Sequence, residues 1–169
     1  INWFDNIPIL SFLILKGKCR SCNQNISLQY PLVEFVTGVV FMLLFIQNID
    51  LQHQFIFLFL SAILILISVI DILEKSIYQS HLYILFALVI VFRIFVEPIV
   101  SLTDLFYGPL AFGGFLAILR WVGEKIYKKE AMGIGDVKLA VVLGFMLSLK
   151  LAIVALYISF ISASLLGVY

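Results

Sequence analysis

The chain has 169 residues and a formal net charge of +1; 63% of its residues are hydrophobic and 12% are charged. A soluble domain carries about 25% charged residues, and a chain of this size has too little interior to hide so much apolar surface from water, which excludes an ordinary soluble domain. The near-neutral balance gives no footing for a nucleic-acid partner.

In chain order, residues 1–29 hold both cysteines and the cations Lys16, Lys18 and Arg20, and are expected to form a small cytoplasmic cysteine-containing domain. Residues 30–169 are expected to form a membrane helical domain. The start at Ile1 without a Met, and an apolar run still open at Tyr169, are expected of a piece of a longer protein. No cleavable signal peptide is recognisable. Crossing a bilayer takes roughly 17–25 apolar residues. Five runs reach or come close to that length and are candidates, about Tyr30–Ile46, Gln54–Ile70, Leu82–Val96, Leu105–Val122 and Leu151–Val168, with a shorter one at Val137–Leu147. Helix is the expected state, because lipid leaves open-sheet backbone groups unsatisfied and the alternation of a membrane barrel is missing. The fold class is therefore an all-α, polytopic membrane bundle of about six helices. Breakers at Asn48-Ile49-Asp50, Glu97-Pro98 and Gly133-Ile134-Gly135 mark its joints.

Orientation follows the cations. Lys16, Lys18, Arg20, Lys75, Arg120, Lys125, Lys128, Lys129 and Lys138 are nine of the eleven Lys and Arg, and all fall in alternate connections. That side is cytoplasmic. Arg93 and Lys150 fall on the other, with Arg93 able to snorkel from the end of its span; Asp50, Glu97 and Asp104 lie on that side as loop or interface charges. Asp71 and Asp136 are both expected in cytoplasmic connections.

An ionisable group beside a membrane span is costly and is by default a functional candidate. Asp71 ends an apolar run, and Asp136 stands in Met132-Gly133-Ile134-Gly135-Asp136-Val137-Lys138-Leu139. Each has a plain structural reading: Asp71 as a solvated helix end, Asp136 as the acid that caps a helix start. Together they form a carboxylate pair suited to acid/base chemistry. Two such groups share one proton, so one takes a proton from water while the other polarises a carbonyl. Gly133 and Gly135 would let another backbone come close. Lys138, two positions on, would not share a helical face with Asp136 and is read as meeting headgroups or substrate. Glu34, one turn into the first span, is read either as substrate-facing or as held by a structural partner. Cys19 and Cys22 leave two readings open: half of a four-cysteine zinc site, or a pair of reduced thiols.

Three blocks carry a resemblance. Phe4-Asp5-Asn6-Ile7-Pro8-Ile9-Leu10-Ser11, Lys16-Gly17-Lys18-Cys19-Arg20-Ser21-Cys22 and Ile26-Ser27, with Tyr30-Pro31-Leu32-Val33-Glu34 after them, resemble the cytoplasmic domain and following helix of the type IV prepilin leader peptidases. The segment Met132–Leu139 resembles the second catalytic motif of that family, and the similarity runs from about Phe4 to at least Gly144. The resemblance implies a membrane aspartic endopeptidase of the bacterial inner membrane. It would remove the basic leader of prepilins or pseudopilins, just before their hydrophobic helix, at the cytoplasmic face. Asp136 and Asp71 match the two catalytic aspartates. Tyr78 and Gln79 stand where the family usually has a proline and often an acid. Many members carry an earlier Cys-x-x-Cys, and in those the cysteine domain is linked to N-methylation of the product with S-adenosylmethionine. Proteolysis itself implies no cofactor; zinc and S-adenosylmethionine are candidates tied to the cysteine domain. Partners implied are the prepilin substrate and membrane lipids. The alternatives are a presenilin-like intramembrane protease, which also uses Gly-x-Gly-Asp, and a proton-coupled transporter.

Overall fold

A run that is apolar on every side needs a backbone that pairs its own polar groups, and in lipid a helix does so within one segment. In the computed structural model every run anticipated above is helical over its described residues. The structure describes residues 3–95, 102–130 and 132–166. The expected end of the third span at Val96, the Glu97–Pro98 joint, the side chain of Asp104 and the expected end of the last span at Val168 lie outside the described residues. A short 3₁₀ turn, Trp3–Asn6, precedes α1 (Leu10–Ile14), α2 (Gln29–Ile46), α3 (Leu51–Glu74) and α4 (Gln79–Phe95). The chain continues through α5 (Leu102–Pro109), α6 (Phe115–Tyr127), α7 (Ile134–Met146) and α8 (Leu149–Leu166). Helices α2, α3 and the stretch Leu105–Tyr127 are long and apolar enough to cross a membrane; α4 and α8 are shorter apolar helices. With 13 residues, α7 is about 20 Å long, well short of a hydrocarbon core of about 30 Å. The protein is an all-α, multi-pass membrane protein.

The chain divides into two compact units, Ile1–Val69 and Ile70–Tyr169. In the first, a tight knuckle is closed by an isolated antiparallel bridge between Lys18 and Asn25. Inside it the Cys19 N–H donates to Gln24 O (2.9 Å) and the Asn23 N–H to Cys19 O (2.9 Å). Arg20 pairs with Asp5 (2.9 Å) and lies over the Phe4 ring, 5.1 Å from its centroid, which ties the knuckle to the first residues. Helices α2 and α3 are joined by a short connection held by Gln54. Its buried amide donates to Leu44 O (3.3 Å), a carbonyl near the end of α2.

The second unit is built around α7, which packs against α4, α5, α6 and the turn between the last two. Helix α4 presents Leu82, Leu85, Val89 and Phe92 as one buried stripe at helical spacing. Pro109 lacks the N–H that would continue α5, and the helix passes through a π-helical turn, Leu110–Gly114, before α6. There Phe112, Ala140 and Ala152 make a small core with Leu116, Leu143 and Leu156. Gly108 and Gly144 are where backbones meet: a Cβ on Gly144 would lie 2.5 Å from Pro109 Cα, and one on Gly108 would run into the Gly144 carbonyl. At the end of α7 remote from Asp136, Arg93 of α4 donates from Nε to Phe145 O (2.5 Å). Arg93 thus reaches a helix C-terminus, where a cation meets the negative end of the dipole; snorkelling is not needed to explain it. The same contact sets α4 and α7 parallel.

Two expectations need correction. Asp71 is not in a connection but in the last turn of α3, which runs on through Ile72 and Leu73 to Glu74 and is stopped by Lys75 in a left-handed conformation (φ 51°). Asp136 is likewise helical. Gly133 is extended (ψ 139°) and α7 starts at Ile134, so Gly135 belongs to the helix and is no breaker.

Candidate active site

Asp71 comes from the last turn of α3 and Asp136 from the first turn of α7, and both line one cleft of about 250 Å³ with Lys75, Ser76, Ile77, Gly133, Ile134 and Gly135. Both side chains are half-buried. The α3–α4 loop reaches the cleft because Lys75, in its left-handed conformation, turns the chain back while its N–H still donates to Asp71 O (2.8 Å). Where a proline and an acid were expected, Tyr78 instead donates its hydroxyl to the Glu74 carboxylate and meets the His81 ring edge-on at 5.9 Å. Gln79 is the first residue of α4.

Asp136 is the third residue of α7, and its carboxylate reaches back to the N–H of Gly133, the residue before the helix. This is the acidic half of a capping box, so the structural reading of the motif holds. The same carboxyl is nonetheless pushed above the usual carboxylate range, first by burial and then by the charge of Asp71, with the Gly133 N–H acting the other way. Both effects that raise it disfavour the charged form. A Cβ on Gly133 would meet the Asp136 carboxylate at 3.1 Å, and one on Gly135 would lie 2.9 Å from Ile77 Cβ.

An apolar groove of about 310 Å³ opens beside Asp136, lined by Phe112, Leu116, Leu139, Leu156, Phe160 and Ala163 among others. The Phe115 and Phe160 rings, 5.9 Å apart, hold α6 to α8 next to it.

The structure thus brings Asp71, Asp136, Gly133 and Gly135 to one cleft. Lys138 is on α7 and does not line it. Glu34, Cys19 and Cys22 belong to the N-terminal unit. Glu34 has a structural partner there: its Oε2 accepts the N–H of Ile9 (2.8 Å), a residue at positive φ (62°) immediately before α1. Cys19 and Cys22 are free thiols, and the Cys19 thiol is lowered from its ordinary value by the backbone N–H groups of Cys22 and Ser21. Among the described residues no three candidate ligands come together, so these two thiols alone do not complete a tetrahedral site. Sequence reasoning missed Lys75, Ser76 and Ile77. The available signal was their position directly after Asp71, in the shortest path from α3 to α4.

Two family models cover the chain: the bacterial peptidase A24 N-terminal domain matches residues 1–48, and the type IV leader peptidase family matches residues 58–168. Among similar proteins, a type 4 prepilin-like proteins leader peptide-processing enzyme of Escherichia coli is 38% identical over 83% of this chain and 52% of its own length. A prepilin leader peptidase/N-methyltransferase of Klebsiella pneumoniae is 35% identical over 85% of this chain and 63% of its own. One of Bacillus subtilis is 33% identical over 95% and 62%. The chain spans between half and two thirds of the length of these relatives. No solved structure matches it. With the second model covering most of the chain, through both aspartates and the cleft they line, the chain belongs to the type IV leader peptidase family.

Proposed function

We propose that this chain carries the catalytic core of a membrane aspartic endopeptidase that cuts the basic leader from prepilins or pseudopilins at the cytoplasmic face of the bacterial inner membrane. The observation that carries the proposal is the single cleft lined by Asp71 and Asp136. Asp136, held above the usual range by burial and by Asp71, is assigned the shared proton and donates it toward the scissile carbonyl. Asp71 then draws a proton from the attacking water, and the tetrahedral carbon forms between them. As the C–N bond breaks, Asp71 passes its proton to the leaving amine and Asp136 takes one back from a hydroxyl of the tetrahedral carbon, which returns the pair to its starting state. Gly133 and Gly135 shape the rim of this cleft; Lys138 is assigned to headgroup or substrate contact, and Glu34 to its structural contact with the Ile9 N–H.

The groove beside Asp136 supports the same reading. Its lining is almost wholly apolar and it adjoins the pair, which suits the apolar stretch that follows the cut in a leader-bearing substrate. Both acids occupy terminal turns of their helices, a placement that fits a cut at the membrane face better than one inside the bilayer or a proton path through the bundle. Zinc at Cys19 and Cys22 would require two further ligands, and no step is drawn through it. Methyl transfer from S-adenosylmethionine would be an activity additional to the cut.

The test is incubation of the full-length protein in detergent with a prepilin, followed by mass determination of the product. Asp71→Asn and Asp136→Asn should each reduce cleavage by at least about 100-fold while the protein remains inserted. Retained cleavage by Asp71→Asn would overturn the assignment.

A further inference from the structure

Gly135 precedes Asp136, and Ile77 lies in the four-residue loop that follows α3, six positions after Asp71. A methyl group on Gly135 would lie 2.9 Å from Ile77 Cβ and 3.4 Å from its Cγ1 and Cδ1. The nearest of these atoms is the branched Cβ, one bond from the backbone, and it moves only if the loop moves. Ile77 is half-buried, whereas its neighbours Lys75, Ser76 and Tyr78 are exposed. The loop is also short and firmly joined to Asp71, since the Lys75 N–H donates to the Asp71 carbonyl (2.8 Å). One apolar contact therefore links the two segments that bear the aspartates.

We propose that Ile77 is a positioning residue: its side chain, seated against the bare Cα of Gly135, sets how closely Asp71 and Asp136 approach. The inference rests on the proposed carboxylate pair. It gives the second glycine of the Gly-x-Gly-Asp motif a partner within this chain. Misplacement of a reacting group by about 1 Å costs on the order of 100-fold in rate, so a crowded contact here acts on turnover more than on binding.

The experiment compares the full-length wild type with Gly135→Ala, Ile77→Ala and a double variant that combines Gly135→Ala with Ile77→Gly, measuring kcat and KM on a prepilin across pH. Gly135→Ala should lower kcat by about 100-fold with KM within about threefold. Adding Ile77→Gly removes the Cβ that the new methyl would strike and should recover at least about tenfold of that loss. Ile77→Ala alone should lower kcat severalfold and move the alkaline limb of the pH profile to lower pH, because parting the carboxylates relieves the repulsion that helps Asp136 keep its proton. The charged groups at that cleft are Asp71 and Lys75 from the end of α3 and its loop; Lys138 is on α7 itself, and His81 is turned to the Tyr78 ring at the start of α4. The π-helical turn, α6 and α8 present Phe112, Leu116, Ser159, Phe160 and Ala163, none of them titratable. A double variant as slow as Gly135→Ala would overturn the proposal, as would an Ile77→Ala enzyme with wild-type kcat and an unmoved limb. The second outcome decides the matter even if Gly135→Ala fails to insert. No cleavage by the wild type would overturn the underlying peptidase reading instead.

Discussion

At Asp136 a stabilising contact and a destabilising environment act on one carboxyl. The Gly133 N–H favours the ionised form, while burial and Asp71 favour the protonated form more strongly, and the net direction is upward. A carboxyl whose folded value lies above its unfolded value binds more protons in the folded state. Its contribution is fully present below the ordinary aspartate range and is lost as pH rises through the folded value. At neutral pH, therefore, the wild type holds a group that would be more easily ionised unfolded than folded. Asp136→Asn removes that penalty, and its side-chain oxygen can still accept the Gly133 N–H. The variant should be inactive yet have a higher melting temperature than wild type in detergent at neutral pH, with the difference shrinking to nothing below about pH 4. A variant that melts lower than wild type at neutral pH would show that capping by the charged form outweighs the cost of burial.

Elements were legible where apolar length alone decides them. All six expected spans correspond to helices over their described residues; the end of the first at Ile46 is unchanged, and the other described boundaries shift by five residues or fewer. What escaped was the contribution of small residues to packing. The sequence draws attention to Gly133 and Gly135 because an acid follows them, yet the backbone crossing of the second unit is made by Gly108 and Gly144. In lipid there is no hydrophobic force between helices, so close approach at small residues carries much of the association, and nothing in a single glycine announces which helix it will meet. Likewise, Asp71 is recognisable from its position, but the loop that brings Ile77 onto Gly135 depends on a left-handed Lys75, a conformation that lysine rarely signals. The crossing can be tested by contrast. Gly144→Ala places a methyl 2.5 Å from Pro109 Cα and should cost about 1–3 kcal/mol by overpacking; because α7 carries Asp136, activity should fall with it. Gly38→Ala in α2 meets nothing within 4 Å and should be neutral or stabilising by up to about 1 kcal/mol through helix propensity. Thermal unfolding of both variants in the same detergent checks the pair, and equal effects would argue against the crossing.

For the molecule as a whole, the decisive quantity is which way the bundle faces, because a leader peptidase and its substrate must meet on one side. Asp71 ends α3, Asp136 starts α7, and α4 and α7 run parallel through the Arg93–Phe145 contact, so both acids lie at the end of the second unit opposite Arg93. The same end of that unit carries the closing lysines of α3 and α6, Lys75 and Lys128, each in a left-handed conformation next to a helix C-terminus, where a cation also complements the dipole. Retention of Lys and Arg on the cytoplasmic side is the ground on which we propose that the cleft faces the cytoplasm. Single cysteines introduced at Ser76 and at Lys129, in a background with Cys19 and Cys22 replaced by serine, should be blocked by an impermeant maleimide only after the inner membrane is opened. A cysteine at Asn48, in the connection between α2 and α3, should react in spheroplasts with the membrane intact. Labelling of Ser76→Cys from outside would reverse the bundle and remove the cleft from the compartment in which a newly made substrate presents its leader.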